Sequence, residues 1–214
     1  MYPAEFENLK RGTTTLALVC KDGIVIGAEK RATMGTHIAH KVTKKIFKID
    51  DTLSITTAGL VGDAQLLARW LSAEVALYKM RRGVAITVKG ASTLMANILS
   101  SSRYFPFWVQ LLVCGIDNEG NHIYSLDPAG GNIEDKYVAT GSGLPYVYGV
   151  LEDYYKEDIN TNEGVDLALR ALTAAMKRDS ASGDAVDIVT ITKKGYKEIT
   201  EEEIKKRKEK LELA

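Results

Sequence analysis

The sequence predicts a single α+β domain in which two hairpin-built sheets pack face to face and pairs of helices cover the outer faces. Three observations carry that expectation. The chain has 214 residues with 45% hydrophobic side chains, enough for one substantial core. Strand-like and helix-like stretches follow in the order strands, two helices, strands, two helices, strand, helix. No linker, repeat or low-complexity segment divides them.

Each element has its own signal. Residues 14–20 (TTLALVC) read as a strand and 21–23 (KDG) as a turn, with Gly23 free to take positive φ. Residues 24–30 (IVIGAEK) return beside the first strand as a hairpin. A second hairpin joins 45–49 (KIFKI) to 53–58 (LSITTA). Asp63 is placed to cap a helix running to about Met80, with Leu66, Leu67, Trp70, Leu71 and Leu77 on its apolar face and Arg81, Arg82 and Gly83 at its end. Val88, Ala91, Leu94, Met95, Ile98 and Leu99 mark a second helix. Strands follow at 107–116, 121–126 and about 133–139, then helices near 144–156 and 162–178. Residues 186–192 (VDIVTIT) read as a strand, and Thr200 with Glu203 forms a capping box for a charged C-terminal helix.

Composition removes several function classes. Lys plus Arg and Asp plus Glu both number 28, so nothing advertises nucleic acid or an anionic membrane as partner. Near-zero charge is compatible with a subunit that lives in an assembly. Cys20 and Cys114 sit in apolar runs and read as small buried hydrophobes, which points to a reducing, cytoplasmic compartment. His37, His40 and His122 read as ordinary polar residues. With no HExxH and no paired CxxC, no metal or cofactor is expected. No apolar run reaches the roughly 18 residues of a membrane span. The opening MYPAEFENLKRG has no apolar h-region and reads as a flexible terminus or a short pro-segment.

Gly12-Thr13-Thr14-Thr15 admits two readings. Threonine runs suit edge strands. Alternatively, Gly12–Thr13 is a cleavage point and Thr13 becomes an N-terminus. Its hydroxyl is then a nucleophile beside its own α-amine, a base titrating near about 7.7–8.0. The first hairpin brings Glu29 close to the start of the first strand, and Lys45 opens the next strand alongside. A nearby ammonium favours the alkoxide, but a Glu–Lys pair across strands is also ordinary surface complementarity. AGLVGDAQ at 58–65 suggests a phosphate loop, yet it lacks the GK[ST] ending, so nucleotide binding is rejected.

Six blocks, GTTT, AEKRAT, KKIFKID, TTAGLVGDAQ, ATGSG and RDSASGD, occur in the order and spacing of one family. They resemble the proteasome β-subunit family, its archaeal members above all, from Thr13 to the end of the last strand. The resemblance implies a four-layer αββα sandwich of the N-terminal-nucleophile hydrolase type and a threonine-type endopeptidase. Residues 1–12 are then a pro-segment lost at Gly12–Thr13, and residues 13–214 the catalytic domain. Thr13 matches the nucleophile and base, Lys45 the catalytic lysine, and Glu29 the family's acidic residue, often Asp. Ser142, Asp179 and Ser182 match the polar cluster that fixes the threonine amine and a nearby water. Gly59 matches the oxyanion-hole N–H, and Thr33 the residue whose backbone pairs with an extended substrate. Ala32, Thr43, Phe47, Thr57, Val61 and Gln65 match the side-chain pocket, which is mainly neutral and suits cleavage after apolar residues. Implied partners are other β-subunits in a seven-membered ring, α-subunit rings, an ATP-dependent unfoldase acting through the α ring, and unfolded polypeptides. A non-catalytic ring subunit typically lacks the Thr or the Lys, and both are present here. A stand-alone amidase of the same fold is the other alternative.

Overall fold

The computed structural model describes residues 12–213, so of the expected pro-segment only Gly12 lies within it. β1 (Thr14–Cys20) turns into β2 (Gly23–Glu29), followed by the short β3 (Ala32–Met34) and β4 (His37–His40), then β5 (Ile46–Asp50) and β6 (Leu53–Gly59). The helices α1 (Val61–Arg82) and α2 (Val88–Ser101) precede β7 (Val109–Ile116), β8 (Asn121–Leu126), β9 (Asn132–Glu134) and β10 (Tyr137–Gly141). The chain continues with α3 (Leu144–Tyr154), α4 (Thr161–Arg178), β11 (Val186–Thr192), β12 (Gly195–Glu198) and α5 (Glu201–Lys210).

Two five-stranded antiparallel sheets result, one ordered β10-β1-β2-β11-β12 and the other β5-β6-β7-β8-β9. Side-chain alternation sends successive residues to opposite faces, and both faces of each sheet are covered. Leu16, Leu18, Val25 and Ile188 point outward and pack with Leu151, Leu169 and Leu172 of α3 and α4. Ala17, Ile24 and Ile26 point inward and meet Leu112, Cys114 and Ile123 of the other sheet. Leu111 and Val113 face Leu67, Leu71, Met95 and Leu99 of α1 and α2. Three buried layers therefore separate four structural layers, an αββα sandwich. Cys20 and Cys114 are free and buried, and burial raises the thiol of Cys20 to about 12.

The sequence expectations fail where tertiary pairing decides. β1 is an interior strand between β10 and β2, so the threonine run is not an edge. The single strand expected over 133–139 is two strands in different sheets: β9 pairs β8, and β10 pairs β1. The β3–β4 hairpin and β12 are too short and too exposed to carry a period. Asp63 does not cap α1; it lies inside the first turn, with Leu60 at the cap, and accepts the Trp108 N–H at 2.9 Å. Trp70 and Leu77 lie on the exposed side of α1, and Ala64, Ala68 and Val75 take the inner positions. Gly23 has no positive φ; a Cβ there would meet the Ile191 carbonyl, so its size is what matters. The reciprocal capping box forms at Asn160 and Glu163 of α4, whereas Glu203 of α5 turns to Arg207.

Leu112 is fully buried between the sheets. Leu112→Ala removes apolar contact and leaves a cavity there, which costs about 2–5 kcal/mol. Ile133→Ala, at a side chain 69% exposed, costs within about 0.5 kcal/mol. Denaturant unfolding of the two variants checks the difference.

Candidate active site

The three consecutive threonines at the start of β1 are all buried, and each does something different. Thr13 donates its peptide N–H to Ser142 Oγ at 3.3 Å and its hydroxyl to the Gly12 carbonyl at 2.7 Å. Thr14 donates its N–H to Glu29 Oε1 at 3.0 Å and has its hydroxyl 2.6 Å from Ser182 Oγ. Thr15 Oγ1 lies 2.9 Å from Thr56 Oγ1 and 2.7 Å from Thr140 Oγ1, which links β1 to β6 of the facing sheet and to its own neighbour β10. Strand alternation explains the division: residues 13 and 15 face one way and 14 the other.

Glu29 ends β2 with its side chain fully buried. Isolated there, a carboxylate is costly, but this one has four donors. Oε1 accepts from Thr14 N and from the Lys45 ammonium. Oε2 accepts from Arg31 N at 2.7 Å and Gly183 N at 3.1 Å. The longer Glu side chain, in place of the family's frequent Asp, therefore reaches all its partners. Lys45, just before β5, also donates to the Arg31 carbonyl at 2.5 Å. Burial pulls the Lys45 pKa below its ordinary value, and the attraction of Glu29 opposes that only in part.

A second polar group approaches from the C-terminal half. Asp179 follows α4, and its Oδ2 accepts from Ser142 Oγ and Ser182 Oγ, both at 2.6 Å. Those two hydroxyls spend their protons on Asp179. Ser142 is then an acceptor toward Thr13 N, and Ser182 an acceptor toward the Thr14 hydroxyl.

Thr13 and Lys45 open on a pocket of about 340 Å³. Ala32, Thr33, Thr43, Phe47, Thr57, Val61 and Gly59 line it. Gln65 does not: it lies on the exposed side of α1, and Ala64, one residue earlier on the helix, takes the wall. Met34, Ala39 and His40 of the β3–β4 hairpin also line the pocket. No sequence period marks them. Lys44 borders it but sends its ammonium to Glu198 at 3.4 Å. Gly59 has φ +128°, and a Cβ there would lie 2.0 Å from the Trp108 carbonyl oxygen, so only glycine fits. Gly12 is held by a hydrogen bond from its N–H to Thr33 Oγ1 at 3.0 Å, and a Cβ on it would fall 1.6 Å from Ala181 Cβ.

Removing the Glu29 charge leaves a buried ammonium without its counter-ion. Glu29→Gln also turns an NH₂ group toward two of the four donors. The expected loss is about 3–5 kcal/mol of stability, read from denaturant or thermal unfolding. Survival of full stability would mean the pair is not coupled to the fold.

Residues 9–191 match the family described as Proteasome subunit. The chain is similar to the "Proteasome subunit beta" of Methanohalophilus mahii, 60% identical over 197 residues that cover 92% of this chain and 94% of the relative. It is 58% identical over 202 residues to that of Ferroglobus placidus, covering 94% and 96%. With that of Methanothermobacter thermautotrophicus the identity is 52% over 206 residues, covering 96% and 98%. A likeness of this depth, with the family match spanning residues 9–191 and these relatives covering at least 92% of the chain, has one meaning: the chain belongs to the proteasome subunit family.

Proposed function

We propose that this chain is a threonine-type endopeptidase subunit of a proteasome core particle that degrades unfolded polypeptides, with Thr13 as nucleophile after loss of residues 1–12. The observation that carries the reading is the placement of Thr13. Thr13 lines the pocket with its nitrogen on Ser142, and Lys45, paired with the buried Glu29 behind it, lines the same pocket. Thr13 and Lys45 in one constellation also argue against a non-catalytic ring subunit.

Maturation comes first, because the base is locked in a peptide bond. Thr13 Oγ attacks the Gly12 carbonyl carbon, the C–N bond breaks, and the acyl group passes to oxygen. Water then hydrolyses the ester, releasing residues 1–12 and leaving a free amine on Thr13. That amine sits where the peptide N–H now meets Ser142. In turnover it takes the Thr13 hydroxyl proton as the oxygen attacks the scissile carbonyl carbon. It returns that proton to the leaving amine, and water cleaves the acyl-enzyme ester. The Lys45 ammonium stabilises the developing alkoxide, and the Gly59 N–H serves the oxyanion. Ser142, Asp179 and Ser182 hold the amine in register. Among the described residues β3 pairs only with β4, and its other edge suits backbone pairing of Thr33 with an extended substrate. The neutral pocket walls suit an apolar side chain. The family likeness supports a reading with seven-membered rings, α-ring partners, an unfoldase and a cytoplasmic setting; a stand-alone amidase would elute alone in gel filtration with α-subunits.

Two tests bear on this. Thr13→Ala keeps residues 1–12 attached, as intact mass shows, and abolishes peptide hydrolysis; an active, full-length particle refutes the scheme. Lys45→Ala keeps the fold but lowers the rate by about 10²–10³ and slows self-cleavage. Lys45→Arg rescues little, since its larger planar fork misplaces the charge. Lys48→Ala, at a surface lysine paired with Asp51, leaves the rate near wild type. Because burial lowers the Lys45 pKa, the ammonium loses its proton below the ordinary value of 10.5. Activity therefore falls on an alkaline limb that lies below that value, and Lys45→Arg removes the limb from the residual rate.

A further inference from the structure

Arg31 stands between the two halves of the site. Its backbone touches both charges of the buried pair: the N–H donates to Glu29 Oε2 at 2.7 Å and the carbonyl accepts the Lys45 ammonium at 2.5 Å. Its side chain runs to the loop 179–184. Nε donates to Asp184 Oδ2 at 2.8 Å and an η nitrogen donates to the Ser180 carbonyl at 2.8 Å. That loop carries Asp179, which accepts from Ser142 and Ser182, and Gly183, whose N–H reaches Glu29. One residue thus spans the Glu29–Lys45 side and the Asp179–Ser142 side.

The loop is shaped to the guanidinium. A Cβ on Gly183 would lie 2.4 Å from Arg31 Cζ, so the backbone passes directly over the fork. Asp184 has φ +67°, a left-handed conformation uncommon outside glycine and best tolerated by Asn and Asp. The Arg31 and Asp184 side chains are 20% and 18% exposed, against 60% and 61% for the surface pair Lys44–Glu198, so water screens the former much less.

Resting on the threonine-peptidase reading above, we propose that Arg31 is a positioning residue. It clamps the 179–184 loop so that Ser142 and Asp179 present the Thr13 nitrogen in register with the Glu29–Lys45 pair. It touches no reacting atom. Losing the clamp shifts the amine relative to the alkoxide-stabilising charge without altering the pocket walls. Its signature is a fall in kcat with KM unchanged. Small misplacements of this kind typically cost about 10–100-fold.

The test compares assembled particles carrying Arg31→Met, Arg31→Lys and Asp184→Gly with wild type, on a short apolar peptide. Asp184→Gly removes the carboxylate while glycine accepts the left-handed backbone, so this variant keeps the fold even if Arg31→Met does not. Expected for Arg31→Met and Asp184→Gly is a kcat lower by about 10–100-fold, KM within about twofold, and Tm near wild type. Arg31→Lys should not restore kcat, because one ammonium cannot replace two donors of a planar fork. The double variant Arg31→Met with Asp184→Gly should be no worse than the poorer single one. Unchanged kcat in Asp184→Gly overturns the proposal, as does a kcat loss that tracks a fall in Tm or a matching rise in KM. Thr13→Ala runs in parallel. If it stays active, the threonine-peptidase reading fails; if it is dead while Asp184→Gly is fully active, only the role of Arg31 fails.

Discussion

One buried carboxylate organises this domain. Glu29 lies at the end of β2, where the first sheet's interior strands meet the chain leaving for β3. It is fully shielded from water, so it is tolerable only with its oxygens saturated. Its four donors come from four places: the start of β1, the link after β2, the residue before β5, and the loop after α4. Satisfying that single group therefore fixes the relative positions of both sheets and of the C-terminal loop. The pocket, the lysine and the serine–aspartate cluster take their places around it.

The sandwich turns this local requirement into a rigid frame. β1 has α4 on one face and the facing sheet on the other, so neither Leu16 nor Ala17 can move without disturbing a full layer. The Thr15 hydroxyl joins the two sheets within two residues of Thr13. On the threonine-peptidase reading, a nucleophile held this way loses little freedom when a substrate arrives, which is the condition for effective positioning.

How much of this was legible in the residues varies with the physics. β1 and β2 show through because a strand covered on both faces is continuously apolar and its turn is marked by Lys-Asp-Gly. Lys44 and Lys45 are neighbours just before β5, yet the ammonium of Lys45 goes to Glu29 and that of Lys44 to Glu198. The helical run at 61–82 is plain, but which apolar residues it buries is not: Trp70 and Leu77 are as hydrophobic as Leu67 and Leu71 and lie outside. The β9–β10 crossing is hidden because pairing partners, not local pattern, decide it. Within the site, Thr13, Lys45 and Ser142 could be picked out by type and motif. The N–H groups of Arg31 and Gly183 could not, since backbone donors are the same for every residue. Gln65 is exposed one helical position from Ala64, which lines the pocket; that one step separates the outer and inner sides of α1.

The site is also assembled from distant parts of the chain. Thr13 meets Ser142 across 129 residues, and Thr14 meets Ser182 across 168. Loop closures of that span come late, after nearby hairpins and helices have formed. A chain still emerging from the ribosome has its first strand long before it has Asp179, Ser182 or the strand that holds β2 from the far side. The complete constellation around Thr13 is thus absent from every partly made form of the protein. On the threonine-peptidase reading, completion of the fold itself acts as the clock that decides when bond cleavage can begin.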